Sequence, residues 1–302
     1  MDAALVRRAW QVGEMVHGLT YFTPEVRAAT AALGIRGGWM SYFGARAAPL
    51  GAVSAATVTA TFYSFAPEMV ARSVPGVWRY ASPEQLLHAR LAGIEVAMRR
   101  VFADRSGNGG DPQRAGTGVR TVDVTGAASL AARAAAAADV AGRPLAAANA
   151  ALAIQDNVEV GLWQSLTTLR EHRGDGHVTL LVARGIGPVE SLVLAAASGR
   201  SSAEALRANR GWGEDDWARA EHGLAARGWL TGAGALTPAG TSAREELERA
   251  TDALAEGPYR ALGDGGTAEL IAALRPLADR VVASGAVPVP NPVGVPWPPD
   301  EP

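Results

Sequence analysis

The most polar stretch of the chain is Arg170-Glu171-His172-Arg173-Gly174-Asp175-Gly176-His177, where the side chains best suited to moving a proton lie closest together. An imidazole exchanges a proton near neutral pH, and a carboxylate beside it can fix its tautomer. Two glycines permit an abrupt turn, so the pattern predicts a break between two helices at which His172, Asp175 and His177 converge. In that arrangement His172 or His177 exchanges the proton and Asp175 orients the ring. Helix capping is the plainer alternative, with Asp175 accepting backbone N–H groups and Arg170 or Arg173 balancing its charge. A metal would need Glu14, His17 or Glu171 to complete a ligand set. The two histidines are not at the His-x-x-x-His spacing that puts two ligands on one helix face, so no metal is assigned.

A second group gathers many of the chain's few aromatic rings in its first half, from Tyr21 and Phe22 through Trp39, Tyr42 and Phe43 to Phe62, Tyr63 and Phe65. Core packing accounts for most such rings, while a tyrosine tip suits the wall of an apolar pocket. The expected ligand-binding set is Glu14, His17, Tyr21, Tyr42, Arg46, Phe62, Tyr63 and Phe65, joined by Trp163 and Arg173 from the second half. Arg46 or Arg173 would hold an anionic group, and the ligand would be an apolar or weakly anionic small molecule.

These groups must be positioned by helices. Leu5, Val6, Ala9, Val12 and Val16 form a stripe along Ala3 to His17, and Pro24 suits the first turn of a second helix. Ser82 is the expected N-cap of a long helix beginning at Pro83. Further helical patterns cover Ala127 to Val140 and Asn157 to Arg170, and four more follow from Asp175 to Leu230. Near the end, PVPVPNPVGVPWPP has the spacing of an extended segment packed over the body by Val287, Val289 and Trp297, with a turn at Asn291 to Gly294.

The chain is 302 residues long, carries a net charge of −2, and all of its 28 basic residues are arginine. Without lysine there is no Schiff base and no P-loop; without cysteine there is no thiolate nucleophile, disulfide or Cys-type zinc site. Gly107-Asn-Gly-Gly110 lies in a loop-like stretch rather than between a strand and a helix, so nicotinamide and ATP sites are set aside and no cofactor is assigned. The N-terminus places Arg7, Arg8 and Glu14 where a secretory signal needs an apolar core, and uncharged Ala47 to Pro67 is too polar for a membrane span. The expected location is the cytoplasm, with no membrane partner and with a homodimer left open.

The phrases Leu224 to Leu230 (LAARGWL) and Leu236 to Gly240 (LTPAG) flank a tight Thr231 to Gly234 turn, and this order resembles the winged helix of MarR-type regulators over Gly176 to Leu254. The wider pattern, with VHGLTYFTPEVRAA, YFGARAAPLG, TATFYSFAPEMVA and PVPNPVG, resembles a poorly characterised actinobacterial helix-turn-helix family along the whole chain. The resemblance implies a mainly α fold of two helical domains, the C-terminal one winged-helix-like. Ala32 to Ile35 echoes Ala183 to Ile186, and Ser54 echoes Ser202, which fits a diverged tandem duplication. The organisation read from the chain is an aromatic-rich helical domain at 1–103, a Gly-rich linker at 104–125, connecting helices at 126–175, a winged-helix-like domain at 176–284 and a Pro-rich tail at 285–302.

The segment Gly213 to Gly228, which would enter a DNA groove, carries four acids against two arginines, and the turn at Thr231 to Gly234 has no cation. DNA binding is therefore expected to be weak and strongly salt-dependent, with Arg200, Arg207 and Arg210 the groups that keep it open. The leading expectation is a winged-helix-derived small-molecule protein, with acid–base chemistry on an apolar substrate as its sharper form. A MarR-like ligand-responsive regulator and a noncatalytic interaction protein are the alternatives.

Overall fold

The computed structural model describes residues 1–103 and 123–300, and in these the chain is mainly α. Its first half opens with α1 (Ala3–His17), the single turn α2 (Leu19–Phe22) and α3 (Pro24–Ala31). It continues through α4 (Gly38–Ala47), α5 (Ala55–Phe62) and α6 (Pro67–Ala71) to the long α7 (Pro83–Phe102). The second half begins with α8 (Thr125–Ala136), α9 (Pro144–Ala150) and α10 (Val158–Ala183). It then runs through α11 (Pro188–Ala197), α12 (Ala203–Arg210) and α13 (Glu214–Ala226) to α14 (Pro238–Arg260) and α15 (Gly263–Ala283). Among the described residues there is no strand. The turn at Thr231 to Gly234 is closed by one isolated antiparallel bridge, Leu230 to Leu236.

Local chemistry accounts for the helix starts. Ser82 accepts from the Gln85 backbone N–H while the Gln85 side chain accepts from Ser82 N–H, a reciprocal cap ahead of Pro83. Asn157 caps α10, Ser202 caps α12 and Thr237 caps α14, each through its side-chain oxygen. The stripe of α1 buries Val6, Ala9, Val12 and Val16 as its spacing requires.

Three apolar cores follow. One joins α1, α7, α8, α10, α14 and α15 in a bundle of long helices; the second gathers α4 to α6 and the start of α7; the third gathers α11 to α13 and the start of α14. The second and third cores trade aromatic residues. Tyr63 packs against the third and donates to the Ile186 carbonyl (2.6 Å), while Trp212 packs against both and donates to the Ser64 carbonyl (2.9 Å). Helix α3 approaches α7 so closely that a Cβ on Gly93 would lie 2.6 Å from the Val26 Cα.

Four features differ from the sequence expectation. The turn expected at Gly174 to Gly176 does not form: α10 is one 26-residue helix that carries His172, Asp175 and His177 through its interior. The helix expected to reach Val140 stops at Ala136, where Ala137 leaves helical geometry. Of the linker assigned to 104–125, residues 104–122 lie outside the described residues, and Thr125 already belongs to α8. In the Pro-rich tail, Val287 and Val295 are buried and Trp297 packs on the bundle, but Val289 is exposed. The tail's turn is as expected, with Asn291 accepting from Gly294 N–H (3.0 Å). Among the described residues no single helix is long and apolar enough to cross a membrane, and the uncharged stretch at 47–67 is split between a short 3-10 turn and α5.

Candidate functional site

A cavity of about 1010 Å³ lies where the three cores meet. Its wall includes Glu14 and His17 from the end of α1, Tyr21 from α2, Tyr42 and Arg46 from α4, and Phe62, Tyr63 and Phe65 around the end of α5. Trp163 and Arg173 enter from α10, so the ten residues expected to bind a ligand all line one space. Asp175 and His177 also line it; His172 does not.

The aromatic residues form a continuous wall. Tyr42 contacts Tyr21 (5.3 Å between centroids), Phe43 (5.3 Å) and Phe65 (5.5 Å), and His17 stacks on Trp163 at 5.7 Å with the planes 8° apart. Edge and offset contacts of this kind suit aromatic quadrupoles. Burial raises the Tyr21 phenol above its ordinary range, so it is a neutral hydrogen-bonding group at physiological pH.

Charge is organised around Glu171, whose side chain is 2% exposed. Its carboxylate accepts from Arg46 Nε and Nη2, both at 3.0 Å, and from Arg170 Nη1 at 2.8 Å. Burial pushes this carboxyl up, but Arg170 and Arg46 outweigh it and hold the group well below the usual carboxylate range. Arg46 also donates to the Tyr42 hydroxyl (3.0 Å) and lies over Phe62 at 4.1 Å. Arg170 reaches Glu14 at 3.4 Å, and Glu14 faces His17 Nδ1 at 3.6 Å. Arg173 is held by Asp252 (2.6 Å) and Glu248 (3.3 Å) while stacking on Trp10. Both arginines singled out from sequence as anion holders are thus already paired with carboxylates.

The three residues expected to converge at a turn lie along one helix instead, with His172 and Asp175 three apart on one side and His177 turned away from Asp175. Positions two apart on a helix point roughly 160° apart, which puts Asp175 and His177 on different faces. The Asp175 carboxylate accepts from Ala146 N–H (2.9 Å), so it caps the N-terminus of α9 from a neighbouring helix rather than orienting an imidazole. Burial raises its carboxyl to about 6. His172 is pushed down to about 4, first by burial and then by Arg143, whose guanidinium donates to the His172 carbonyl. His177 is bonded to Thr251 Oγ1 at 2.9 Å, and the Thr251 hydroxyl donates in turn to the Leu247 carbonyl (2.8 Å). With that proton spoken for, Nδ1 must be the donor, which leaves Nε2 as the basic nitrogen of an imidazole that burial keeps neutral.

The raised Asp175 carboxyl gives a stability prediction. Folding binds its proton between about 6 and the ordinary 3.8, so the native protein carries an uncompensated charge above pH 6 and loses that cost as pH falls through 6. Asp175→Asn keeps an acceptor oxygen for Ala146 and removes the charge. Thermal melts should find the variant more stable than wild type at pH 8, with the gap shrinking at pH 5. A less stable variant at pH 8 would mean that the cap depends on the negative charge.

Sequence reasoning passed over Arg90, which lines the cavity from α7, and weighed Glu171 only as a metal ligand. Arg90 had a visible signal: with Leu86, Ile94 and Met98 it recurs every fourth residue, a lone cation on an apolar stripe. Arg210, read from sequence as a phosphate contact, lies instead on the cavity wall over Phe65 at 4.6 Å, with Nη2 donating to the Pro292 carbonyl (3.3 Å). Among the described residues no group of three or more histidines and carboxylates is placed to hold a metal ion.

Residues 6–288 match the model of a family described as a helix-turn-helix family. No curated protein and no solved structure matches the chain.

Proposed function

We propose, for a chain that belongs to this helix-turn-helix family, that it is a small-molecule-binding protein whose ligand occupies the cavity between its two halves and whose DNA-reading face has been given up. The observation that carries this reading is the cavity itself: about 1010 Å³, walled by rings from the first half and by arginines from both.

Support comes from what the cations of the second half are engaged in. If α11 to α13, the bridged turn and α14 are read as a MarR-like winged helix, the recognition helix is α13, and its first turn carries three acids. Arg207 pairs with Glu214 and Arg219 with Asp216, Arg227 donates to the carbonyls of Arg184 and Gly185, and Arg210 is turned into the cavity. Few positive charges are left for phosphates.

A diverged duplication accounts for a cavity in this place. Helices α4 and α11 are both ten residues long, while α5 and α12 are both eight and both capped by serine, Ser54 and Ser202. Helices α7 and α14 both begin with proline after a hydroxyl cap. Two such units, the second still resembling a MarR-type regulator, would enclose a shared space between them.

The test has two arms. A panel of aromatic compounds, followed by thermal shift, should yield ligands that stabilise the wild type, and Ala195→Trp, which fills the cavity from α11, should abolish the shift while helical content is unchanged. Duplex DNA should bind weakly and lose its affinity steeply with salt. Tight operator binding near physiological salt, reduced by changing Arg207, would favour a regulator.

For a second reading, acid–base chemistry on that ligand, the specific observation is His177 with Nε2 as its basic nitrogen, its tautomer fixed by Thr251. Product formation from a bound compound that survives His177→Gln would remove that reading.

A further inference from the structure

Two arginines on the cavity wall, Arg90 and Arg210, bond only to carbonyls among the described residues, and Arg90 differs in leaving two nitrogens of its guanidinium without a partner where Arg210 leaves only Nε. Arg90 is 4% exposed and its guanidinium lies 5.1 Å from the Trp163 ring centre. One nitrogen, Nη1, donates to the Ala45 carbonyl at 3.1 Å; Nε and Nη2 are buried and reach no acceptor among the described residues. Among the described residues no carboxylate forms an ion pair with it. Burial lowers its pKa to about 10, so it still carries its charge at neutral pH.

The two unpartnered nitrogens define a shape. Nε and Nη2 form the edge of a guanidinium from which two N–H groups project in parallel, and it is the edge that Arg46 presents to the two oxygens of Glu171, at 3.0 Å each. That fork matches a carboxylate in geometry and charge. Leaving such a buried donor pair unmade is costly, and a folded protein gains nothing by it unless something accepts from it. The surroundings limit what that something carries: Trp163, Tyr21 and Tyr42 also line the cavity, so the bearer of the anion meets aromatic side chains.

We infer that Arg90 is the anion-binding residue for an aromatic carboxylic acid, whose carboxylate accepts from Nε and Nη2 while its ring lies against the aromatic wall around Trp163. This rests on the cavity being a ligand site, as proposed above. Arg46 and Arg173, already paired with Glu171, Asp252 and Glu248, then shape the walls; Arg210 donates through Nη1 and Nη2 to carbonyls, so the fork left for the carboxylate is that of Arg90.

The experiment uses 2-naphthoate and its neutral counterpart 2-naphthalenemethanol as probes, titrated by calorimetry at pH 7.5 into the wild type, Arg90→Met, Arg90→Lys and Ala195→Trp. The acid should bind the wild type about tenfold or more tightly than the alcohol. Arg90→Met should erase that preference while leaving the alcohol's affinity within about twofold, and Arg90→Lys, which keeps the charge without the fork, should recover only part of it. The melting temperature of Arg90→Met supplies a second readout. It should match or exceed the wild type, because an uncompensated buried charge is removed; a marked fall would assign Arg90 a structural role and overturn the inference. Acid and alcohol binding alike, with both excluded by Ala195→Trp, would overturn the Arg90 assignment and leave the cavity reading standing. If neither probe binds, or if Ala195→Trp changes nothing, both readings fall.

Discussion

Glu171→Gln lowers the unfolding free energy by about 3 kcal/mol at pH 7, measured by urea denaturation. The carboxylate is the meeting point of two guanidinium groups, and glutamine can return only one acceptor oxygen to Arg46 and Arg170 while supplying no charge. Removing one member of a buried ion pair costs roughly 3–5 kcal/mol because the partner's charge stays behind. The lower end applies because the side chains of Arg46 and Arg170 keep 13% and 18% of their exposure. The sign of the pH dependence follows from the direction of the shift. A carboxyl held below its ordinary 4.5 contributes stability that is fully present above that value and is lost as pH falls through the folded-state value. The difference between wild type and variant should therefore be widest at neutral pH and close in acid. A loss under about 1 kcal/mol at pH 7 would mean that solvent reaches the cluster and that Glu171 does not organise the site.

Gly240→Ala destabilises the fold by about 3 kcal/mol or more, the upper range for forcing atoms into a packed site. A Cβ at this position would lie 2.1 Å from the Trp229 carbonyl oxygen and 2.9 Å from its carbon, and both are backbone atoms that no rotamer change can move aside. The same carbonyl accepts from Thr237 N–H (3.0 Å), while Thr237 Oγ1 accepts from Gly240 N–H (3.0 Å), so displacing it also loosens the start of α14. Gly257→Ala is the control. Nothing lies within 4 Å of its added Cβ, and alanine favours a helix by up to about 1 kcal/mol, so its stability should hold or rise. Equal denaturation midpoints for Gly240→Ala and wild type would show that the bridged turn gives way freely.

Gly240 was legible as part of the LTPAG phrase, although only the Trp229 carbonyl says why glycine stands there. Helix starts were legible for the same reason throughout: Ser82 with Pro83 and Ser202 declare a cap in their own side chains. The walls of the site were legible because the chain has few rings and the first half holds most of them. What misled was reading Gly174 and Gly176 as a turn. Glycine weakens a helix by only about 1 kcal/mol, and tertiary packing overrides it. A Cβ on Gly176 would meet Arg143 Nη1 at 2.6 Å, so the glycine is a gap through which Arg143 reaches the His172 carbonyl. Single-residue chemistry declares caps; it does not declare which side chain of a distant helix needs room to pass. Arg90 was visible as the cation on an apolar stripe, but the two unpartnered nitrogens of its fork were not, since they are defined only once α4 and α10 have closed around α7.

Helix α1 packs chiefly against α15, with Val6, Val12 and Val16 in one core with Leu270, Leu274 and Val281. On the ribosome, that partner is made more than two hundred residues after the stripe it covers. The apolar face of α1 must therefore wait, through most of translation, for its chief partner. Non-local closure of this kind slows folding and leaves sticky surface open to chaperones. A shortened transcript that stops before α15 would yield a nascent chain whose α1 stripe has lost its chief partner.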